Sequence, residues 1–430
     1  MHDSPPAAPS TPSTRAERDE PTLVPPALPA AALAERARRY PLGASLDRGV
    51  LEDGLNHEIW HRLRAEEPVS WCPAIDGWLV TKRAWSAQIY RTPEDFTVFT
   101  AINAVRKVLG EQMLSCDGER HARQRKPFEP PFKVRPVREN YETLVRRQVE
   151  SAIDDIRDQS VLDLGAWASR FAIATIGVVL GLGEKRPDEL RHMYDAFASA
   201  MAYGVEDEAA RLATAATAKQ RFAELLADDL RRVRREPDDS IISHIAHSQE
   251  DTGLDDEAVI QNVRLILFGA IETVESMIVN TFWLLHGNRD ALDAVRNDPG
   301  LVSNAVEESL RLIPPVGFSD RYAAHDLSFH GAELHAGEMI LPVIIAANRD
   351  PDAFPEPDVF DVRRENARAH YSLSHGKHFC LGANLARLQG EAVVNGFLDA
   401  FPSMSLSADT GAPAGFEFRR AAPVHLRLHA

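Results

Sequence analysis

The sequence predicts a mainly α-helical fold with a smaller β-rich region, a single large domain built around one long central helix. Three observations carry this prediction. Apolar residues recur with the 3.6-residue period of helices through most of the middle of the chain. One such stretch, Asp255–His286, runs for about 30 residues, roughly 45 Å at 1.5 Å per residue. β-Type runs are confined to a patch near residue 70 and to the last quarter of the chain.

Residues 1 to about 40 come first and are dominated by proline (Pro5, Pro6, Pro9, Pro12, Pro21, Pro25, Pro26, Pro29) mixed with Ala, Ser and Thr. Such a segment buries too little apolar surface to offset its chain entropy. It reads as a disordered tail with a short helix over Ala31–Arg39, and the domain itself is expected from 41 to 430. Pro68–Pro73 and Gly77–Thr81 alternate in the manner of strands, and the Asp76-Gly77 turn signal between them makes a hairpin. Helical patterns then follow over Arg138–Asp158, Leu164–Leu182, Asp188–Ala202, Ala209–Arg235, Asp255–His286 and Val302–Leu312. Strands and turns occupy Asp320–Pro342, and a last helix runs from Ala383 to about Phe397.

The central helix has its own start and stop signals. Asp255 is a good N-cap, Asp256 and Glu257 complement the dipole, and Gly287-Asn288 ends it. Leu265-Ile266-Leu267-Phe268 is apolar all round, so the middle of this helix is expected to be buried. Glu272 would then be a buried acid, which costs several kcal/mol unless paired, and it becomes a candidate functional residue.

The 430 residues are 44% apolar and 26% charged, an ordinary globular balance. A net charge of -16 argues against nucleic acid as a general partner. The three cysteines, Cys72, Cys116 and Cys380, are far apart. They form no disulfide framework and fit a reducing cytoplasm. No apolar run of about 18 residues and no secretory leader pattern is visible, so a cytoplasmic protein without membrane insertion is expected.

Chemistry concentrates near the C-terminus. Ser374-His375-Gly376-Lys377-His378-Phe379-Cys380-Leu381-Gly382 places one thiol in a glycine-bounded loop directly before a helix. Unpaired N–H groups and the positive end of the helix dipole favour its thiolate, as nucleophile or as metal ligand. Glu308 and Arg311 stand at i and i+3, on one helix face. Arg363, in the Phe360-Asp361-Val362-Arg363 coil, is expected to complete an ion-pair cluster with them. His121 and Arg125 lie one turn apart, placed to clamp an anion.

Taken together these residues resemble a cytochrome P450 of the soluble bacterial type. The matching motifs are Gly376–Gly382 with Cys380, Glu308…Arg311, Phe360…Arg363, Gly269-Ala270-Ile271-Glu272-Thr273 and His121…Arg125, in the family's order over about residues 40 to 430. The resemblance implies haem b, with Cys380 as the proximal thiolate ligand to iron. It implies that Gly376 and Gly382 let the backbone approach the porphyrin and the sulfur. His121, Arg125, Arg321 and His378 would hold the propionates. Thr273 and Glu272 would serve the distal side, the hydroxyl acting on bound oxygen and the acid relaying protons. Glu308, Arg311 and Arg363 would be structural. Phe99, Ile102, Val105, Phe268, Gly269, Val316 and Phe318 would line an apolar pocket.

The implied reaction is monooxygenation of a lipophilic small molecule, such as a terpenoid, steroid or macrolide, with O2. No flavin or nicotinamide fingerprint is present, so electrons would come from a ferredoxin and its ferredoxin reductase, and the protein would work as a monomer. Arg120–Arg138 carries seven Lys and Arg against one acid, Glu129, in an otherwise acidic chain, and would dock the ferredoxin. Three positions depart from the family pattern: Leu373 replaces a Phe, Ala270 a Gly, and Val274 a second Thr. The extra methyl of Ala270 is expected to change how the helix bulges there.

Plainer readings exist for single residues. Cys72 and Cys116 are small buried hydrophobes. A mid-helix Thr such as Thr273 usually bonds its i−4 carbonyl. The run Arg231–Arg235 is a solvated helix face balanced by Asp228 and Asp229. Two further readings of the whole chain are a haem-binding sensor or carrier without oxygen chemistry, and a cysteine-nucleophile hydrolase using Cys380 and His378.

Overall fold

The central helix runs over Asp256–Gly287 in the computed structural model, which describes residues 22–429 apart from 56, 184, 185 and 203–205. Asp255 caps it, its Oδ1 accepting the Ala258 N–H at 2.8 Å. Val259, Val263, Leu267, Ile271, Ile278 and Phe282 are buried along it. Burial of each such side chain contributes about 1.5–3 kcal/mol, and this row belongs to the main hydrophobic core. Leu164–Leu180, Val302–Leu312 and Ala383–Ala400 pack around it. By length and composition the helix is apolar enough to cross a membrane, but 67% of that window is buried inside the protein.

Two expectations about this helix are corrected. Its middle is not buried all round: Leu265, Ile266, Phe268, Ala270, Glu272 and Thr273 are half-buried and Gly269 is exposed. Neighbouring elements cover only one side of this stretch. The helix is also a continuous α-helix through Ala270, without the expected bulge.

The β-rich region is a five-stranded sheet. Val69–Cys72 and Gly77–Val80 form the predicted hairpin, closed by a turn in which Asp76 takes a left-handed conformation (φ 48°). Met339–Pro342 joins parallel to Gly77–Val80, then Arg321–Ala323 and Phe96–Thr97 follow antiparallel. Both faces of the hairpin are buried. Trp71 and Trp78 lie in one cluster with Tyr40 and Phe96, while Cys72 and Leu79 face Trp60 and Phe318.

The N-terminal boundary is corrected too. The helix there covers Ala30–Arg39 and is fastened to the sheet. Arg36 pairs with Glu338 at 2.6 Å, and its guanidinium lies 4.9 and 5.1 Å from the Trp71 and Trp78 rings. A cation desolvated between two indoles and a carboxylate is well held, so the folded part begins before residue 41. Residues 1–21 of the expected tail lie outside the described residues. The helix expected over Arg138–Asp158 runs over Val134–Asp154, with Pro136 in the first turn, where its missing N–H has no cost. Helices over His57–Glu66, Arg83–Arg91 and Ile241–Thr252 also exist.

Candidate functional site

Cys380 ends an irregular loop that the backbone holds tightly. Its N–H donates to the Leu373 carbonyl at 2.8 Å, and Gly376–His378 forms a single 3-10 turn. Gly376 has φ 73°, and a Cβ there would stand 2.5 Å from the Tyr90 carbonyl, so only glycine fits. The close approach that fixes Gly376 is therefore to Tyr90. Burial pushes the Cys380 thiol up. The Gly382 N–H, Arg125 and Arg387 work against that rise without cancelling it.

The four expected propionate ligands come together beside this loop. The His121 and His378 rings are 4.3 Å apart. Arg125 donates to the Phe379 carbonyl at 2.7 Å and pairs with Glu129 at 2.9 Å. Arg321 is buried, bonding Ser319 Oγ at 3.1 Å and the Asp320 carbonyl at 2.7 Å. His378 Nε2 meets Asp117 Oδ1 at 2.9 Å, a partner that the sequence did not reveal. Burial, then His378 and Arg125, bring His121 down to about 4. Burial also lowers His378, with Asp117 opposing and Arg321 and Arg125 adding to it.

Glu272 is neither free nor fully buried; its side chain is 22% exposed. Arg420, on the short strand Arg420–Ala421 that pairs antiparallel with Pro413–Ala414, reaches its Oε1 at 2.9 Å, and the Tyr194 hydroxyl donates to its Oε2. Burial and this carboxylate raise the Tyr194 phenol far above its ordinary range. Thr273 donates its hydroxyl hydrogen to the Gly269 carbonyl, the i−4 bond of a mid-helix threonine.

Of the expected pocket residues, the structure gathers some and removes one. Phe268 stacks on Tyr194 (ring centres 5.4 Å apart) and leans on Phe418 at 6.1 Å. Val316 bridges to Phe418 in the same place. Phe99, Ile102 and Val105 are half-buried on the segment leading into and along the short helix Ala104–Leu109, and the Phe99 ring lies 4.9 Å from the Arg120 guanidinium. Phe318 does not belong with them. It is buried in the sheet core, stacked on Phe416 at 4.6 Å and edge-on to Trp60 at 5.9 Å.

The structural cluster is offset by one residue from expectation. Arg311 grips Glu308 with two hydrogen bonds, 2.7 and 2.8 Å, and both side chains are 0% exposed. The third member is Arg364, whose Nε donates to Glu308 Oε1 at 2.8 Å. Arg363 is exposed, because the turn after Asp361 sends alternate residues outward, and it is not part of the cluster. The neighbouring carboxylate, Glu307, does parallel work. It takes His370 at 2.9 Å and Arg387 at 2.5 Å, tying the helix that follows Cys380 to the Val302–Leu312 helix.

These residues fit haem b. A thiol, two imidazoles and two guanidiniums converge on one loop, and His121 Nε2 is buried without a hydrogen-bond partner among the described residues. A Cβ on Gly382, or on Gly269 of the central helix, would meet no atom within 4 Å, so both backbones face open space.

Residues 87–410 match the cytochrome P450 family. The chain is 31% identical to cytochrome P450 107B1 of Saccharopolyspora erythraea over 372 residues, 82% of this chain and 89% of that one. It is 31% identical to vitamin D(3) 25-hydroxylase of Pseudonocardia autotrophica over 369 residues (82% and 87%). It is 30% identical to 6-deoxyerythronolide B hydroxylase of Saccharopolyspora erythraea over 383 residues (84% and 93%). Among solved structures it resembles the myxobacterial cytochrome P450 CYP267B1 in complex with myristic acid, with a TM-score of 0.81 at 26% identity, covering 90% of this chain and 99% of that one. With the helices, the cysteine loop and these matches in agreement, the chain belongs to the cytochrome P450 family.

Proposed function

We propose that this cytochrome P450 monooxygenase hydroxylates or epoxidises a lipophilic small molecule of the terpenoid, steroid or macrolide kind, drawing electrons from a ferredoxin and its reductase in the cytoplasm. The observation that carries this reading is the apolar wall of Tyr194, Phe268, Phe418 and Val316, joined to Glu272 by the Tyr194 hydroxyl. Two of the relatives are named as hydroxylases, of vitamin D(3) and of 6-deoxyerythronolide B, which supports the same substrate class.

Haem, when bound, supplies the oxygen activation, and the protein supplies position and protons. In this reading Cys380 holds the iron, and His121, Arg125, Arg321 and His378 hold the propionates. Thr273, its hydrogen committed to the Gly269 carbonyl, keeps its oxygen lone pairs available as acceptors. Glu272 passes protons inward. Glu308, with Arg311 and Arg364, keeps the coil around the cysteine loop rigid.

The proposed ferredoxin face combines exposed Arg123, Lys126, Lys133, Arg135 and Arg138 with Phe379, which is 41% exposed. Arg135 and Arg138 are partly spent on Glu139 and Glu391. Steering of an acidic partner makes the first reduction slow as salt rises; a rate indifferent to ionic strength contradicts it. The oxygenation reading is tested by turnover under labelled O2 with substrates chosen by a haem spin-state screen. One labelled oxygen atom per product molecule is expected, and product carrying only solvent oxygen overturns it.

A further inference from the structure

Arg264 is one of several core cations, with Arg419 and Arg321, that form no ion pair among the described residues. Arg264, on the central helix one turn before Phe268, is 2% exposed, and among the described residues no carboxylate pairs with it, Glu257 acting on it only from beyond ion-pair distance. A guanidinium buried without a partner charge is a costly choice unless its hydrogens do specific work. Here they do. Nη1 donates to the Leu109 carbonyl at 2.7 Å, the last residue of the short helix Ala104–Leu109. Nη2 reaches the Lys219 carbonyl at 3.4 Å, and the guanidinium lies 5.6 Å from the Phe222 ring, both on the helix Glu208–Arg235. Burial lowers its pKa to about 10, which leaves it charged at neutral pH.

Its neighbours grip the same segment. Asn262 Oδ1 accepts the Met113 N–H at 2.9 Å, and the Gln261 side chain fills the space beside Gly110 (φ 90°). The end of the helix Ala104–Leu109 and the turn after it are therefore held to the central helix by two hydrogen bonds, at Leu109 and Met113, and by packing of Gln261 at Gly110. At its other end lie Phe99, Ile102 and Val105, three of the expected pocket residues. It also packs on the helix Pro187–Met201, which carries Tyr194.

We infer that Arg264 is a positioning residue that bolts the Ala104–Leu109 helix and the Glu208–Arg235 helix to the central helix, and that release of its bond to Leu109 sets how fast bulky ligands enter the pocket. The second half rests on the pocket reading above; the first does not. A long cation suits the task because one planar group donates to carbonyls on two different helices while lying against an aromatic ring. No neutral side chain of similar reach supplies both donors.

The test compares the holoenzyme with Arg264→Met, which keeps bulk and loses every donor, and Arg264→Lys, which keeps the charge and shortens the reach. Amide hydrogen exchange of Lys107 to Met113 is measured without substrate. It is expected to rise about tenfold or more in Arg264→Met, the loss of one hydrogen bond to a charged group, and less in Arg264→Lys. The helix Ala383–Ala400 serves as internal reference and is expected to stay unchanged. Stopped-flow binding of two probes then follows: association of 4-phenylimidazole speeds up in both variants, while that of imidazole does not. Unchanged exchange at 107–113, or an equal rise in Ala383–Ala400, overturns the inference, and so does equal acceleration of both probes. If Arg264→Met does not fold, Arg264→Lys against the unaltered enzyme decides. Failure of imidazole to shift the Soret band of the unaltered enzyme contradicts the haem-site reading instead and leaves the exchange result standing.

Discussion

Arg420 stands 2.9 Å from Glu272, and its second terminal nitrogen lies 3.3 Å from Glu275, so one guanidinium bridges two carboxylates a turn apart on the central helix. Tyr194 closes the arrangement from the other side. The acid expected to relay protons is thus held by two residues that flank Phe268: Tyr194 stacks on it, and Arg420 follows two residues after Phe418.

Glu272→Gln keeps the size and removes the titrating group. It is expected to lower kcat by about 10²-fold, the scale of a lost proton-transfer group. Substrate affinity, read from the spin-state titration, is expected to stay the same. A kcat within twofold of the unaltered enzyme removes Glu272 from the relay.

Arg420→Gln acts on stability as well. Burial raises the Glu275 carboxyl, and Arg420 is the leading influence that lowers it. An acid whose folded pKa is raised favours the folded state while protonated, and that advantage is lost as pH rises above the ordinary carboxylate range. The variant is therefore expected to lose about 1–3 kcal/mol, and more at pH 8 than at pH 5. Urea denaturation at the two values checks the sign.

The corrected cluster makes a three-way comparison. Removing Glu308 leaves Arg311 and Arg364 buried and unpaired, so Glu308→Ala is expected to cost about 3–5 kcal/mol. Arg364→Ala is expected to cost several kcal/mol on the same ground. Arg363→Ala, at an exposed site, is expected to stay within about 0.5 kcal/mol. Thermal unfolding of the three variants checks the order.

Glu307 carries the acid dependence. Burial pushes its carboxyl up, but hydrogen bonds from His370 and Arg387 overcome that and bring it down to about 2. A carboxyl with a depressed folded pKa stabilises the protein above its unfolded value near 4.5, and the contribution fades as pH falls toward 2. Its full size is on the order of 3 kcal/mol. Stability is expected to drop between about pH 4.5 and 2, and more steeply than in Glu307→Gln. Parallel curves for the two proteins contradict this.

What the sequence made legible was local. The cysteine loop lies in nine consecutive residues, and the Glu308–Arg311 pair needs only helical spacing. The central helix announced itself through its cap, its length and its apolar period. Arg364 was missed in favour of Arg363 because the coil after Phe360 has no period from which an inward side is read. Tyr194, Arg420 and Asp117 were missed because each meets its partner across a long stretch of chain, 148 residues for Arg420 and Glu272. Phe318 was misplaced because an apolar residue beside a strand faces either side of the sheet with equal ease. The half-covered middle of the central helix was also invisible, since an all-round apolar run reads as buried whether other side chains or a ligand lie against it.

Cys380 is proposed to ligate haem iron as a thiolate. The absorption spectrum of the reduced, CO-bound holoenzyme tests it most directly. The strongly red-shifted Soret band of thiolate ligation is expected in the unaltered enzyme and is expected to vanish in Cys380→His. A folded, haem-loaded protein whose Soret band lacks that shift contradicts the claim.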